Sequence, residues 1–365
     1  MAASVIGESR SAPEGGPMSI EQVERGLARL RMNEDGSLGA RATVLNLIVV
    51  TDEESAPSIA QVVADLSGHY PCRAILMISD PDEEQSKLDI SLSAFCSLRH
   101  GTPGGTGSQI CAEQITIHAE GPPAGHLESL AGPLLLPDLP VFLWYPNGQM
   151  PRPAESDGMV ALADRLILDS GGVDDSDAFM RGVADLSAGG SPEVGDLQWA
   201  ALSPWRSLVA DLFAPAERAG ELGEIKRVEV LHRPAGECRA LLFVGWLASA
   251  LGWRPESAVR GKAGREFNFS GPSGEVTAAL SPDSPDARLR RVRILSEEYS
   301  YQVSRHRELS DVSSTVMRSG ELLAGRMVQL GSFDPGVLVG EELRYRGRDE
   351  VYKAALRTAA EMLDL

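Results

Sequence analysis

The segment RATVLNLIVVTD, at residues 41–52, constrains the fold of this chain more than any other part of its sequence. Its apolar residues follow one another without polar alternation, which is typical of a strand buried on both faces. A helix is predicted from about Ser55 to Leu66, and a second short apolar strand runs from Ala74 to Ile78. Since parallel strands are joined by a right-handed crossover, these segments predict a βαβ unit that begins an open α/β sheet.

One further helix precedes this unit. Ser19 and Gln22 have the spacing of a capping box, and apolar residues then recur at helical intervals. We therefore predict a helix from about residue 19 to 32. Residues 1–18 show no such pattern and are expected to form a disordered leader.

The rest of the first domain alternates strands and helices. The segments SKLDISLSAFCSL and SQICAEQITIHAEG alternate apolar and polar residues on either side of the turn GTPGGTGS, which predicts an antiparallel hairpin at the sheet edge. Strands at 141–144 and 166–168 follow, with helices near 160–163 and 174–186. Residues 19–200 are therefore expected to form an α/β domain with an open mixed sheet.

A second domain is expected at residues 201–365. It begins with the helix SPWRSLVADLF, whose Pro204 suits a first turn, and with the strand IKRVEVLHR. The apolar segment CRALLFVGWLASALGW predicts a buried helix. Alternating segments after it predict an antiparallel meander, and helices at about 335–345 and 349–363 close the chain. The expected class of this domain is α+β, with helices on one face of the sheet.

Charge is unevenly distributed along the 365 residues, which carry 34 Lys and Arg against 52 Asp and Glu, a net charge of −18. Residues 1–224 hold 13 basic and 33 acidic residues, a net charge of −20, whereas residues 225–365 hold 21 and 19, a net charge of +2. A protein that binds duplex nucleic acid needs a clustered cationic face to neutralise phosphates. The charge therefore argues against nucleic acid as a partner.

The sequence indicates neither a targeting segment nor a disulfide framework. No stretch of about 18 consecutive apolar residues occurs, and MAASVIGESRSAPEGG lacks the basic-then-apolar order of a signal peptide. We therefore expect a cytoplasmic protein that does not enter a membrane. The four cysteines include no C-x-x-C pair, so reduced thiols are expected at Cys72, Cys96, Cys111 and Cys238.

No motif of catalysis or cofactor binding stands out in the sequence. The glycine-rich stretch 101–107 lacks the Lys and the hydroxyl residue of a phosphate loop, and a hairpin turn explains it better. After the first strand come Thr51, Asp52, Glu53 and Glu54 instead of G-x-G-x-x-G, and an acidic loop repels a pyrophosphate. The histidines lack metal-ligand spacing, and no G-x-S-x-G elbow occurs. We expect no catalytic site, metal or cofactor.

Three features have a functional interpretation beside a structural one. The segment PDLPVFLWYP either offers aromatic surface to a partner or packs in the core. Cys96 and Cys111, on the two arms of one hairpin, can form a reversible disulfide only if they are directly opposed, with Cα atoms within about 7 Å. Basic residues on two neighbouring predicted strands line either an anionic partner's surface or a solvated face. They are Arg288, Arg290, Arg291, Arg293, Arg305, His306 and Arg307.

The succession of several blocks resembles a known family. RATVLNLIVV, HYPCRAILM, ICAEQITI, PLLLPDLPVFLWYP, LADRLILDS, WRSLVADLF and ECRALLFVGWLASALGW follow one another, from about residue 41 to 253, as in the OpcA family of glucose-6-phosphate dehydrogenase assembly proteins. The resemblance implies a non-catalytic protein that binds this dehydrogenase and promotes its active oligomeric state in the oxidative pentose phosphate pathway. In photosynthetic relatives the family is associated with thiol redox control, and Cys111 falls in a matching block.

Under this hypothesis the partner-binding residues come from the matching blocks, from a helix start and from the arginine-bearing strands. They are Pro137, Asp138, Leu139, Pro140, Trp144, Tyr145, Asp164, Arg165, Trp205, Arg206, Arg291 and Arg293. The redox candidates are Cys96 and Cys111. The alternative from another class is an α/β enzyme or sensor that binds a sugar phosphate near residues 101–107 or near the arginines. A structural adaptor that leaves the rate of the enzyme unchanged is a third interpretation.

Overall fold

The computed structural model describes residues 8–11, 16–32, 40–41, 43–99, 108–151, 153–282, 289–305, 311–345 and 347–365. The chain forms two compact units, each made of several stretches of sequence. Unit 1 comprises Met1–Leu168, Ser191–Val194 and Pro335–Arg346, and unit 2 comprises Asp169–Gly190, Gly195–Asp334 and Gly347–Leu365. The chain therefore passes between the units several times, rather than once near residue 200.

The strands, in chain order, are β1 (Glu8–Ser11), β2 (Ala40–Arg41), β3 (Leu45–Thr51), β4 (Cys72–Asp80), β5 (Lys87–Arg99), β6 (Ser108–Glu120), β7 (Val141–Tyr145), β8 (Arg165–Leu168), β9 (Glu193–Asp196), β10 (Arg227–Leu231), β11 (Arg254–Gly261), β12 (Gly264–Gly271), β13 (Gly274–Ser281), β14 (Arg291–Leu295), β15 (Tyr299–Arg305), β16 (Asp311–Arg318) and β17 (Glu321–Gln329). The α-helices are α1 (Ile20–Leu30), α2 (Ala56–Ser67), α3 (Leu127–Ala131), α4 (Pro153–Leu162), α5 (Ser176–Ala188), α6 (Leu197–Phe213), α7 (Ala216–Ala219), α8 (Glu237–Leu251), α9 (Pro335–Arg344) and α10 (Glu350–Leu363).

The first sheet has the strand order β1-β5-β6-β4-β3-β7-β8-β9, with β2 paired to β6. β3 is parallel to β4 and to β7, and α2 joins β3 to β4, so the predicted βαβ unit is confirmed. Every residue of β3 is buried, as expected for a central strand. The predicted capping box of α1 is also present, since Ser19 N donates to Gln22 Oε1 and Gln22 N donates to Ser19 Oγ.

The hairpin of β5 and β6 is antiparallel, as predicted, and its glycine-rich turn 101–107 lies outside the described residues. Its outer strand is not at the sheet edge, because β1 pairs with β5. Residues 8–11 therefore form a strand and are not part of a disordered leader. Their sequence, ESRS, has no apolar residue and therefore does not predict a strand. A strand can nevertheless pair at a sheet edge, because pairing requires only backbone hydrogen bonds.

The sheet of unit 2 has the order β11-β12-β13-β10-β14-β15-β16-β17. Its strands are antiparallel neighbours, as predicted, except that β10 and β13 are parallel. α8 joins β10 to β11. β12 is antiparallel to both β11 and β13, so β11 and β13 run in the same direction, which is also that of β10.

One face of this sheet is the core of unit 2. Alternate residues along its six inner strands are buried there, among them Val228, Val230, Phe267 and Phe269. α8, which the sequence predicts as a buried helix, contacts β10 and β13. Although α8 is apolar, no helix in the described parts of the chain is long and apolar enough to cross a membrane.

α6 begins earlier than the sequence predicts. Asp196 is its N-cap and accepts a hydrogen bond from Gln198 N at 2.8 Å. Pro204 lies inside this helix rather than in its first turn. Proline has no backbone N–H, so at this position one hydrogen bond to the carbonyl of the preceding turn is missing. Burial of Trp199 and Trp205 offsets that lost hydrogen bond.

Candidate functional site

The aromatic residues singled out in the sequence belong to the core. Trp144 and Tyr145 in β7 are 1% and 2% exposed, and Trp205 in α6 is 1% exposed. β7 is a central strand between β3 and β8, and all of its residues are buried. A partner cannot reach these three side chains in this conformation, so their packing role is the one that the structure supports.

The proline-containing turn before β7 is partly on the surface. Asn46 fixes its base, because its Nδ2 donates to Leu136 O at 3.0 Å and its Oδ1 accepts from Leu136 N at 2.9 Å. Asp138 has a φ of 63°, a left-handed backbone conformation found in tight turns, and the residue is exposed. Of the four predicted residues in this turn, Pro137 and Asp138 are exposed, and Leu139 and Pro140 are half-buried.

Asp164 and Arg165 support the structure of unit 1. Asp164 Oδ2 accepts a hydrogen bond from Val141 N at 2.8 Å, which ties the start of β7 to the start of β8. Arg165 is 5% exposed, and its Nη2 lies 2.6 Å from Glu342 Oε2 in α9. The buried guanidinium is therefore engaged within the unit and does not form part of a surface.

Arg206 is half-buried and stacks on an aromatic ring. Its Cζ lies 3.4 Å from the ring centroid of Trp199, whose Nε1 donates to Asp349 Oδ2 at 2.8 Å. Such a cation–π contact fixes the side chain along α6. Arg206 therefore has a structural role in unit 2.

Arg291 and Arg293 lie on the face of the unit 2 sheet that is opposite to its core, which we call the outer face. Arg291 is exposed and Arg293 is half-buried. Of the other basic candidates, Arg290 and Arg305 are half-buried, while Arg288, His306 and Arg307 lie outside the described residues. The strand register assigns to the outer face Arg227, Glu229, Glu266, Arg291, Arg293, Ser300, Gln302, Thr315, Met317, Leu322 and Met327.

Ion pairs connect the charged residues of the outer face. Glu229 lies between two arginines: Arg227 Nε is 3.3 Å from its Oε1, and Arg293 Nη1 is 3.7 Å from its Oε2. Arg227 Nη2 also lies 3.1 Å from Glu266 Oε2. Sequence reasoning found the arginines through their alternation on β14 but missed the carboxylates, because β10 and β12 are distant in sequence. Both signs of charge are present, so the face is not a simple cationic patch.

Short polar side chains occupy much of the remaining outer face. Asn268 Nδ2 donates to Ser257 Oγ at 3.0 Å, and Thr277 Oγ1 donates to Asn268 Oδ1 at 3.1 Å. Arg293 Nε donates to Ser300 Oγ at 3.1 Å. These hydrogen bonds hold the side chains across neighbouring strands, and the surface that results is composed of short groups.

Apolar side chains are exposed along the β16–β17 edge of the outer face. Met317 on β16 is opposite Leu322 on β17, and they are 36% and 64% exposed. Met327, opposite Ser313, is 60% exposed. Several large apolar side chains exposed together are characteristic of an interaction surface. Their exposure is not evident from the sequence, because an apolar residue on a strand is ordinarily assigned to the core.

The two cysteines of the hairpin form a disulfide, contrary to the expectation that all four thiols are reduced. Cys96 and Cys111 are directly opposed in the β5–β6 register, their Cα atoms are 4.0 Å apart, and both are buried. The geometric condition for pairing is thus met. Cys72 and Cys238 are free and buried, and burial raises the pKa of each thiol to about 12.

The loop between β3 and α2 is where a sheet of this topology binds a dinucleotide, and its residues do not fit one. Asp52 Oδ1 accepts a hydrogen bond from Ser55 N at 2.7 Å, so a carboxylate already takes an N–H group at the start of α2. Glu53 and Glu54 are exposed beside it. A pyrophosphate would meet three carboxylates here. In the described part of the chain, no group of three or more His, Cys, Asp or Glu residues is placed to hold a metal ion.

The geometry thus defines a two-unit protein, with a mixed α/β sheet in one unit and a mainly antiparallel α+β sheet in the other. Two family models match it in succession: the N-terminal domain of a glucose-6-phosphate dehydrogenase subunit over residues 63–185, and the C-terminal domain of that subunit over residues 192–356. The chain belongs to the OpcA family of glucose-6-phosphate dehydrogenase assembly proteins.

Curated relatives are consistent with this family. A putative OxPP cycle protein OpcA from Synechocystis is 28% identical over 197 residues, which cover 53% of this chain and 40% of the relative. Its counterpart from Nostoc punctiforme is 26% identical over 252 residues, covering 69% of this chain and 51% of the relative. The chain therefore spans about half the length of the curated relatives it matches.

Solved structures share the fold at low identity. A mutant of KijD10, a 3-ketoreductase from Actinomadura kijaniata in complex with TDP-benzene and NADP, aligns with 88% of this chain and 96% of its own. The TM-score is 0.50 and the sequence identity is 12%. This likeness shows the fold alone.

Proposed function

We propose that this protein binds glucose-6-phosphate dehydrogenase in the cytoplasm and promotes the enzyme's active oligomeric state, without catalysing a reaction itself. The observation that carries the proposal is the succession of the two family models along both halves of the chain. The acidic loop after β3 supports it, because that loop is unsuited to the dinucleotide of a dehydrogenase.

The outer face of unit 2 is the surface we assign to this contact. Eight strands have seven gaps of about 4.8 Å, and strands of five to nine residues are roughly 25 Å long on average, so the face measures about 850 Å². Each partner in a standard protein interface buries about 800 Å². The outer face alone is therefore large enough for a stable complex.

The chemistry of the outer face also suits a folded protein partner. Met317, Leu322 and Met327 supply apolar area that loses its contact with water on binding. Arg293 and Glu229 already pair with each other, so burying them leaves fewer charges without a partner. Short Ser and Thr side chains lose little rotamer freedom. Such a surface gains free energy from association at small cost.

An assembly factor of this kind acts through a difference in affinity. If it binds the competent oligomer of the dehydrogenase more tightly than the other states, the population shifts toward that oligomer, and the shift cannot exceed the ratio of the two affinities. The activity of the enzyme then rises with the concentration of this protein until the sites are saturated.

The decisive experiment measures the activity of the same organism's glucose-6-phosphate dehydrogenase with and without stoichiometric amounts of this protein, together with the mass of the mixture by light scattering. We expect a larger complex and a higher activity. Leu322→Glu should weaken the complex by roughly tenfold or more, because it buries a charge. Val351→Glu is the matched control, since Val351 is 51% exposed on α10 of the same unit.

Each outcome of this experiment is informative. A complex without a change in rate would identify a structural adaptor, and neither complex nor change would refute the proposal. Equal effects of the two variants would show that the outer face is not the contact. A sugar-phosphate enzyme or sensor has less support at the arginine-bearing strands, because Arg293 already pairs with Glu229. Its other candidate region, residues 101–107, lies outside the described part of the chain.

A further inference from the structure

A pocket of about 330 Å³ opens in unit 1 at the carboxyl ends of β3, β4 and β7. From β3 the chain continues through α2 to β4 on one side, and from β7 it continues through α4 to β8 on the other. The boundary between β3 and β7 is thus a topological switch point, the position at which open α/β sheets bind ligands. We call this pocket, lined by Thr51, Asp52, Ser79, Tyr145, Gln149 and Met150, the switch-point pocket.

Two hydroxyl groups line the pocket without a hydrogen-bond partner among the described residues. Thr51 is 1% exposed, and its Oγ1 is buried and unpartnered. Ser79 Oγ is also buried and unpartnered. Thr51 is opposite Ile78 in the β3–β4 register, so Ser79, the next residue, is on the other face of the sheet, and both residues line the pocket where the strands end. A buried polar group without a hydrogen-bond partner destabilises the folded protein, because it has lost its hydrogen bonds to water. A bound molecule that donates to or accepts from these hydroxyls is therefore favoured.

Asp52 gives the pocket its charge. Its Oδ1 accepts from Ser55 N at 2.7 Å and its Oδ2 accepts from Gln149 Nε2. A carboxylate has about four acceptor positions, so two remain. Among the described residues that line the pocket there is no Lys or Arg. This arrangement repels phosphate groups and accepts hydrogen bonds from hydroxyl groups.

We propose that the switch-point pocket binds an uncharged ligand with neighbouring hydroxyl groups, either a free sugar or the ribose of a nucleoside. Two ligand hydroxyls donate to Asp52, and Thr51 and Ser79 exchange hydrogen bonds with others. The volume is at the lower end of the range for ligand pockets, which suits a molecule of this size. The position at which related folds hold a dinucleotide is thereby used for a neutral ligand.

The test uses saturation-transfer NMR and titration calorimetry on the full chain alone, with four probes: adenosine, glucose, AMP and glucose 6-phosphate. We expect one of the two neutral probes to bind and its phosphorylated counterpart to bind about tenfold more weakly or not at all. Binding of adenosine would identify a nucleoside as the source of the hydroxyls, and binding of glucose a sugar. Absence of binding by both neutral probes at millimolar concentration, or tighter binding of a phosphorylated one, would overturn the proposal.

Variants connect the binding to the named atoms. Thr51→Val keeps the shape of the side chain and removes the unpartnered hydroxyl, so affinity should fall about tenfold while the melting temperature stays the same or rises. Ser79→Ala should also lower affinity, and it serves as the second variant if Thr51→Val does not fold. Ser129→Ala, on the exposed side of α3, is the control and should bind like the parent. Unchanged affinity in both pocket variants would refute the site.

Asp52→Asn tests the discrimination against phosphate. Removing the charge should weaken the binding of the neutral probe. It should also bring the affinities of the neutral probe and its phosphorylated counterpart closer together. An unchanged ratio would contradict the role of this carboxylate. Every one of these measurements uses the protein without the dehydrogenase. Failure of the pocket proposal can therefore be distinguished from failure of the assembly proposal.

Discussion

Arg73 and Glu113 form an ion pair in the interior of unit 1: Arg73 Nη2 lies 2.7 Å from Glu113 Oε2, and the side chains are 1% and 0% exposed. The two residues are partners on the parallel strands β4 and β6. Arg31 Nε lies 3.1 Å from the other carboxylate oxygen. One buried glutamate therefore pairs with two arginines.

Glu113→Ala should lower the free energy of unfolding by roughly 3 kcal/mol or more, because it leaves buried positive charge without its carboxylate. Urea denaturation of the full chain measures the loss. Glu24→Ala is the control: Glu24 pairs with the same Arg73, but its side chain is 42% exposed, so its removal should cost about 1 kcal/mol or less. Equal losses in the two variants would contradict this account.

Asp196 should make stability depend on pH. It is 1% exposed, and burial raises the pKa of its carboxyl to about 7. Between the unfolded pKa of about 4 and this value, the folded state retains a proton that the unfolded chain has lost. The stabilisation is therefore complete below about pH 4 and is lost as the pH rises through about 7.

The Asp196→Asn variant isolates this effect, because asparagine keeps an N-cap oxygen for Gln198 N but does not titrate. The free energy of unfolding, measured by urea denaturation from pH 4 to 8, should fall more steeply in the parent protein, by an amount on the order of 4 kcal/mol over the range. Parallel curves for the two proteins would show that the carboxyl of Asp196 titrates normally.

Thiol titration should distinguish the two pairs of cysteines. Cys72 and Cys238 are buried with a thiol pKa of about 12, so an alkylating reagent should not modify the native protein at neutral pH. Unfolding without a reductant should expose two thiols, and unfolding with a reductant should expose all four. Four thiols without a reductant would show that Cys96 and Cys111 are reduced and would contradict the disulfide.

Gly245 permits a close approach of two helices in unit 2. A Cβ at this position of α8 would lie 2.3 Å from Ala355 O in α10. Gly245→Ala should therefore lower the free energy of unfolding by about 1–3 kcal/mol through overpacking. Gly220→Ala, where a Cβ meets nothing within 4 Å, should be neutral or slightly stabilising. Thermal denaturation compares the two, and the reverse order would refute the close approach.

The fold was predictable where one residue pattern has one structural explanation. The unbroken apolar run of β3 requires a strand buried on both faces, and the length of the apolar segment of α8 excludes a strand. The start of α6 was not predictable. Proline is common in the first turn of a helix, so Pro204 indicated a start near residue 203, whereas the helix begins at Leu197 because its earlier residues are buried in the tertiary structure.

The candidate site was predictable only in part. Alternation along β14 places Arg291 and Arg293 on one face, and the structure agrees. The same reasoning cannot show that Glu229 lies between Arg227 and Arg293, since that depends on the pairing of β10 with β14. The switch-point pocket likewise arises from three strands that are separate in sequence, and no local motif marks it.

The return of α9 to unit 1 has a consequence for synthesis on the ribosome. Glu342, the carboxylate partner of the buried Arg165, is translated after all the strands of the unit 2 sheet. Unit 1 therefore cannot acquire this ion pair until nearly the whole chain has emerged, although most of its sequence is made first. A truncation that ends before residue 335 would remove a helix from the earlier unit, and no single cleavage of the chain would release the two units intact.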